Sequence, residues 1–251
     1  AHLEAMGRIH SPEEAKESIV LARKAGFNNI SLDLIFGLPN QTLADWEDTL
    51  AQAIALDLEH ISAYGLKVEE GTPWGFLAKQ DQLALPDEDT TLLMRHRANQ
   101  LLGRAGFKRY EISNYAKEGL ASKHNLGYWI GRSYLGLGLG ASSYFWQRRF
   151  SNTTKLNHYL HVLNLGQLPI AEEELLTYKQ KMGESVFLGL RLMSGLDLNL
   201  FKNIYGIKLE QAYPGEIEKL SEQKLISLSD RYLYLTPKAL ELANYVAAFF
   251  V

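Results

Sequence analysis

Apolar residues recur at helical spacing in some stretches and alternate in others, and the switches between the two mark the elements. Ser11-Pro12-Glu13-Glu14 opens a helix: Ser11 can cap it, Pro12 suits the first helical position, and Glu14 completes a capping box. Ala15, Ile19 and Ala22 make its apolar stripe, and Gly26 stops it. Residues 30–36 then read as a strand, with Leu32 and Leu34 on one face and Ser31 and Asp33 on the other, ended by Gly37-Leu38-Pro39. A helix over 43–56 and a strand over 60–66 follow. The pattern recurs: Pro86-Asp87-Glu88-Asp89 starts a helix that runs to about residue 105, and Ala105-Gly106-Phe107 repeats Ala25-Gly26-Phe27, again ahead of a strand, at 110–113. Helix, glycine turn and strand in alternation predict an α/β fold with a parallel sheet and crossover helices. Three or four such strands are too few for a closed barrel, which leaves a small open sheet or half a barrel.

From Glu172 the pattern changes. One long helix is predicted over 175–192, with two shorter ones near 198–204 and 208–223. Residues 225–228 and 232–235 form a hairpin around Asp230-Arg231, and a last helix covers 237–249. Helices followed by a two-stranded wing look like a winged-helix module. The expected organisation is therefore two domains, 1–171 and 172–251, with no low-complexity linker between them.

The length of 251 residues leaves room for one large domain or two modest ones. A net charge of −3 argues against a general nucleic-acid or membrane binder. There is no cysteine, which excludes disulfides and thiolate metal sites within these residues. No apolar run approaches the roughly 18 residues of a membrane span. The start, Ala1-His2-Leu3-Glu4, has no initiator Met, basic segment or apolar segment; it does not read as a signal peptide and looks like a chain cut within a helix. The expected compartment is the cytoplasm.

Four features can carry chemistry. Asp33 sits in an otherwise apolar strand, where a carboxylate must be paired or bind something. It is either a structural hydrogen-bond acceptor for a neighbouring loop or an acceptor for a ligand's hydroxyls or amine. Gly136-Leu-Gly-Leu-Gly140-Ala141 fits G-x-G-x-x-A on paper, but the aromatic, basic segment after it has no acidic residue before Glu172, which rejects a nicotinamide dinucleotide. The run is either a tightly packed strand or turn, or backbone passing close to a flat ligand.

The third feature is charge. Between Gly119 and Ala171 there is no Asp or Glu, but there are Lys123, Arg132, Arg148, Arg149 and Lys155, interleaved with Tyr128, Trp129, Tyr134, Tyr144, Phe145, Trp146 and Phe150. This suits an aromatic anion, a porphyrin with carboxylate arms or a single-stranded nucleic acid; an ordinary basic surface over an aromatic core explains it equally well. The fourth is histidine. His158 and His161 share a helix face without a third ligand, so a solvated face explains them. His124 lies in an expected loop beside Asn125 and ahead of Tyr128-Trp129, where an imidazole is either structural or a ligand to haem iron. From Leu196 onward six Lys or Arg stand against seven Asp or Glu, so the winged segment lacks the basic face of a DNA reader.

Taken together the segments resemble the radical S-adenosylmethionine (SAM) proteins related to oxygen-independent coproporphyrinogen III oxidase, most closely the HemW type, described as haem chaperones. The resemblance is carried by Gly7-Arg-Ile-His-Ser11, Leu32-Asp-Leu-Ile-Phe-Gly-Leu-Pro-Asn-Gln-Thr42, Ile61-Ser-Ala-Tyr64 and Glu69-Glu-Gly-Thr-Pro73, with Tyr110-Glu-Ile-Ser-Asn114, His124-Asn-Leu-Gly-Tyr-Trp129 and Leu135-Gly-Leu-Gly-Leu-Gly-Ala141. It covers essentially the whole chain. It implies a partial (β/α)6 barrel followed by a HemN-type C-terminal domain. It also implies SAM contacts at Arg8 and Asp33, with further contacts near Lys67 and at Ser142, and His124 as a haem ligand. A guanidinium holding a carboxylate, and a carboxylate accepting from ribose hydroxyls or an amine, fit that chemistry. The implied partners are haem or porphyrin and a haem-accepting protein, without nucleic acid, and with any membrane contact made through partners.

The alternative within the same family is the oxidase itself, in which the basic segment grips propionates during radical decarboxylation. One departure stands out. The family's C-x3-C-x2-C motif for a [4Fe–4S] cluster is missing, so the resemblance implies no radical cleavage by these residues alone, and Arg8 and Asp33 would form an open half-site.

Overall fold

The structure, a computed structural model, describes residues 2–250; the expectation that rests on Ala1 lies outside them. The chain divides into two compact units, at residues 122 and 123. The expected boundary at 171/172 falls instead inside a strand of the second unit, Ile170–Leu175.

The first unit contains α1 (His2–Ala5), α2 (Pro12–Lys24), β1 (Ser31–Phe36), α3 (Leu43–Ala55), β2 (His60–Gly65), α4 (Pro73–Ala78), α5 (Glu88–Arg104), β3 (Lys108–Arg109) and β4 (Asn114–Ala116). The capping box expected at Ser11 is present: Glu14 N–H donates to Ser11 Oγ and Ser11 N–H to Glu14 Oε2. Thr42 and Asp45 repeat it at α3, and Asp87 caps α5. The four strands lie in the order β1-β2-β4-β3.

The alternation read in the sequence decides the two faces of this sheet. Leu32, Leu34, Phe36, Ile61 and Ala63 meet a core supplied by Trp46, Leu50 and Ala53 of α3 and by Met94, Ala98 and Leu102 of α5. The Trp46 indole N–H donates to the Met94 carbonyl at 2.8 Å, so α3 and α5 are tied inside the core. The other face is polar. Ser31 lies opposite His60, and Asp33 opposite Ser62.

The expected all-parallel sheet is corrected. β1 and β2 are parallel, but β4 runs antiparallel to both β2 and β3. Residues 110–113, expected as a strand, form the turn of a β3–β4 hairpin. Polar side chains close that turn, and hydrophobic patterning does not register them. Glu111 Oε1 accepts from Ser113 N–H and from Asn114 Nδ2, while Arg109 donates to the Ile112 carbonyl.

The second unit begins with α6 (Lys123–Trp129), β5 (Ser142–Phe145), β6 (Arg148–Asn152), α7 (Leu156–Asn164) and β7 (Ile170–Leu175). It continues through α8 (Tyr178–Gly189), β8 (Leu196–Asp197), α9 (Leu198–Tyr205), α10 (Leu209–Ala212) and α11 (Pro214–Glu222). It ends with β9 (Ile226–Leu228), β10 (Tyr232–Leu235), a 3₁₀ turn at Pro237–Leu242 and α12 (Ala243–Ala247). The expected wing is the β9–β10 hairpin, and β8 joins its other edge in the order β8-β10-β9. The long helix expected over 175–192 is shorter, because β7 extends through Leu175 and Thr177 builds a capping box with Gln180 that starts α8.

The glycine run is packed against strands of its own unit. A Cβ on Gly136 would stand 2.2 Å from the Ser142 carbonyl oxygen, so only glycine lets the run approach β5. Gly136 N–H donates to Ser143 Oγ, Asn152 Nδ2 to the Gly138 carbonyl, and Gly140 N–H to the Thr153 carbonyl. A strand follows the run where a dinucleotide motif needs a helix.

Candidate functional site

Two places gather the chemistry, one in each unit. In the first unit it is the polar face of the sheet. His60, only 6% exposed on β2, contacts Ser31 Oγ through Nδ1 at 2.7 Å and Tyr110 Oη through Nε2 at 2.9 Å. Burial pushes its pKa down, while the negative charges of Asp33 and Glu111 pull it partly back. Glu111 is 1% exposed, and its Oε2 has no hydrogen-bond partner among the described residues. Asn114 of β4 lies opposite Ser62 and so shares this face. Sequence reasoning missed His60, Tyr110 and Glu111. The alternation His60-Ile61-Ser62-Ala63 was the available signal, since it puts a second polar residue beside each one of β1.

Asp33 is exposed on β1 and has no hydrogen bond among the described residues. Of its two sequence readings, the structural hydrogen bond to a loop is therefore not found. Arg8, between α1 and α2, is exposed and without an ion pair among the described residues. Lys67, two residues past β2, is exposed and pairs with Glu69 at 2.7 Å. Ser142 is the exposed first residue of β5 and belongs to the second unit. Three of the four expected cofactor contacts thus lie in the first unit, Asp33 and Lys67 on or just past the parallel pair β1–β2 and Arg8 between α1 and α2. An exposed, unpaired carboxylate and guanidinium fit the hydroxyl, amine and carboxylate groups of a nucleoside-linked amino acid. A thiolate-held iron–sulfur cluster does not fit, because none of the residues present is a cysteine.

In the second unit the site is aromatic. His124, expected in a loop, is on α6 and exposed. Its ring meets Tyr128 edge-on at 4.7 Å; Tyr128 meets Tyr134 edge-on at 4.7 Å, and Tyr134 lies 6.4 Å from Tyr144. Tyr128, Tyr134 and Tyr144 line a cavity of about 590 Å³, together with residues of α8 and α9. The charge of the basic segment is partly cancelled. β6 pairs with β7, which sets Arg148 beside Glu173 and Arg149 3.4 Å from Glu174, and Arg149 also reaches Glu184 of α8 at 2.6 Å. Lys123, Arg132 and Lys155 keep their charge unpaired among the described residues. His158 and His161 lie exposed on α7, and no group of three metal-ligating side chains occurs among the described residues.

A four-stranded mixed sheet with one apolar and one polar face, followed in sequence by a winged module, is a combination found among solved structures. The fold matches coproporphyrinogen III oxidase (HemN) from Escherichia coli, described as a radical SAM enzyme, with a TM-score of 0.79 over 99% of this chain and 60% of that one, at 18% identity. The HemN C-terminal domain family matches residues 176–242. The chain is 37% identical over 249 residues to the heme chaperone HemW of Bacillus subtilis, and 34% identical over 246 residues to that of Lactococcus lactis. These alignments take in 99% and 98% of the chain, and 66% and 64% of the relatives. The chain is thus similar to HemW proteins along nearly its whole length and spans just under two thirds of the length of those curated relatives. No helix among the described residues is long and apolar enough to cross a membrane.

Proposed function

We propose that the chain is the haem-handling portion of a HemW-like protein that binds haem and passes it to an acceptor protein. The observation that carries this reading is His124. It is a solvent-accessible imidazole at the end of a ladder of aromatic rings, next in sequence to Lys123 and on the same helix as Gly127, against which Arg132 packs; both cations are unpaired among the described residues. An imidazole nitrogen is a good ligand for haem iron, flat rings stack on a porphyrin, and cations attract propionates. An exposed site suits cargo that has to leave again. The relatives named heme chaperones support the same reading.

The reading includes SAM as a cofactor, with Asp33 accepting from hydroxyls or an amine, Arg8 holding a carboxylate, and Lys67 and Ser142 contributing contacts nearby. When bound with a [4Fe–4S] cluster, SAM supplies radical chemistry. The cluster would be a feature of a longer protein, and the location would be cytoplasmic. The oxidase alternative rests on a fold likeness at 18% identity, which bears on architecture and not on reaction.

A His124→Ala variant of the full-length protein tests the reading by ferric haem titration. Loss of the iron ligand is expected to weaken binding by about tenfold or more, a difference of at least ~1.4 kcal/mol. Unchanged affinity would remove His124 from the site.

A further inference from the structure

The polar face of the first unit's sheet sets a titratable ring one rung from Asp33. Ser31 lies opposite His60 and Asp33 opposite Ser62, so all four share that face and His60 is the diagonal neighbour of Asp33. His60 is 6% exposed and both of its nitrogens are engaged, Nδ1 with Ser31 Oγ at 2.7 Å and Nε2 with Tyr110 Oη at 2.9 Å. The ring thus ties the start of β1 to the β3–β4 turn and is fixed on both sides. Both partners are hydroxyls, which can donate or accept. Protonation makes both ring nitrogens donors, and both contacts survive it. What changes is the charge.

Two carboxylates act on that charge, Asp33 from β1 and Glu111 from the β3–β4 turn, and both favour the imidazolium. The other charged groups nearby are occupied or turned away. Glu59, before His60, is held by Arg23 of α2 at 2.7 Å, and Lys117, past β4, by Asp57 at 2.6 Å. Arg109 of β3 donates to the Ile112 carbonyl. Asn114 and Ala116 of β4 do not titrate, and Tyr115, with α3 and α5, belongs to the opposite, apolar face. Of the two carboxylates, Glu111 is 1% exposed and accepts from Ser113 and Asn114. Asp33 is exposed and has no hydrogen bond among the described residues, so it is the one that a ligand from outside can reach. Burial holds the His60 ring neutral to below its ordinary pKa, which leaves Asp33 uncontested near neutral pH.

We infer that His60 is a positioning residue for the ligand of Asp33: the neutral ring leaves the carboxylate to a ligand's ammonium or hydroxyl groups, and the imidazolium competes with them, so that acid releases the ligand. The inference rests on the reading of Asp33 as a SAM contact and adds to it a proton that opposes SAM binding; His60 itself need not touch SAM. The coupling is reciprocal, so a proton that weakens SAM binding is held more weakly when SAM is bound.

The test titrates SAM into the full-length protein by calorimetry between about pH 7 and about pH 5, a range in which the amino and carboxyl groups of SAM keep their charges. The His60 ring is followed by NMR with and without SAM. The parent is expected to lose about fivefold in affinity across the range, the scale of an attraction between diagonal neighbours under partial solvent screening. Bound SAM is expected to move the His60 titration to lower pH. His60→Gln keeps a donor and an acceptor for Ser31 and Tyr110 but cannot take up charge, and is expected to abolish the decline whatever its affinity at pH 7. Tyr110→Phe removes one contact and keeps the titrating ring, so the decline is expected to persist. A merely structural His60 would show the opposite: His60→Gln would lower affinity and melting temperature together and leave the decline in place. That result, or a flat affinity in the parent, overturns the inference, and the SAM reading survives it as long as Asp33→Asn weakens binding at pH 7. If Asp33→Asn binds SAM as the parent does, the SAM reading fails and the inference falls with it.

Discussion

His60 is the residue whose environment says most about the polar face. Its imidazole is buried between Ser31 and Tyr110, and burial holds its pKa below the ordinary 6.5. The folded state therefore keeps the ring neutral to lower pH than the unfolded chain does. Above pH 6.5 both states are neutral and His60 contributes no pH dependence. As the pH falls below that value the unfolded state takes up the proton first, so stability drops until the folded-state pKa is passed. Replacing His60 with Gln is expected to flatten that part of the stability–pH curve, measured by urea unfolding. Asp33 and Glu111 are the charges that oppose the depression. Asp33→Asn is accordingly expected to move the His60 titration, followed by NMR, to still lower pH; no movement would mean that Asp33 does not face His60.

At the scale of elements, helix starts and strand faces were legible in the chain because single side chains decide them. Ser11 with Glu14 makes a capping box, and Leu32 and Leu34 against Ser31 and Asp33 make a two-faced strand, as the sequence pattern predicts. What was not legible depends on contacts distant in sequence or on runs too short to show a period. α6 has seven residues with Gly127 among them, so His124 reads as loop. The turn at 110–113 is closed by the buried Glu111 carboxylate, which a hydrophobic pattern cannot express. The neutralisation of Arg148 and Arg149 comes from Glu173 and Glu174, 25 residues onward and brought alongside by the β6–β7 pairing, and from Glu184 of α8, 35 residues beyond Arg149. Those same glutamates blunt an exposed edge strand against pairing with another chain. In the winged module, Gly195 has φ +80°, and a Cβ there would stand 2.3 Å from the Leu233 carbonyl oxygen. Gly195→Ala is expected to destabilise the second unit by about 1–3 kcal/mol in chemical denaturation, through backbone strain and forced repacking of β10. A smaller effect would mean that the β8–β10 contact is slack.

At the scale of the molecule, the chain carries two separable chemistries. The first unit presents Asp33 as an exposed acceptor on the polar face of its sheet and Arg8 as an exposed donor between α1 and α2. The second presents His124, the tyrosine ladder and a cavity whose Arg132 and Lys181 make no ion pair among the described residues. If this division is right, Asp33→Asn in the full-length protein weakens SAM binding by about tenfold, the scale of a lost charge-assisted hydrogen bond, and leaves haem affinity unchanged in parallel calorimetric titrations. Equal losses for both ligands would show that the two chemistries are not separate. The family motif around His124 was visible from the sequence. The cavity was not, because Lys181 and Tyr205 come from helices that follow the motif by more than fifty residues.

The most direct measurement of the central claim is the electronic and EPR spectrum of ferric haem bound to the full-length protein, its His124→Ala variant, and that variant supplied with free imidazole. The account predicts an imidazole-ligated iron in the parent, loss of that signature in the variant, and its return when imidazole fills the vacated position. An identical haem spectrum in the parent and the variant would contradict it.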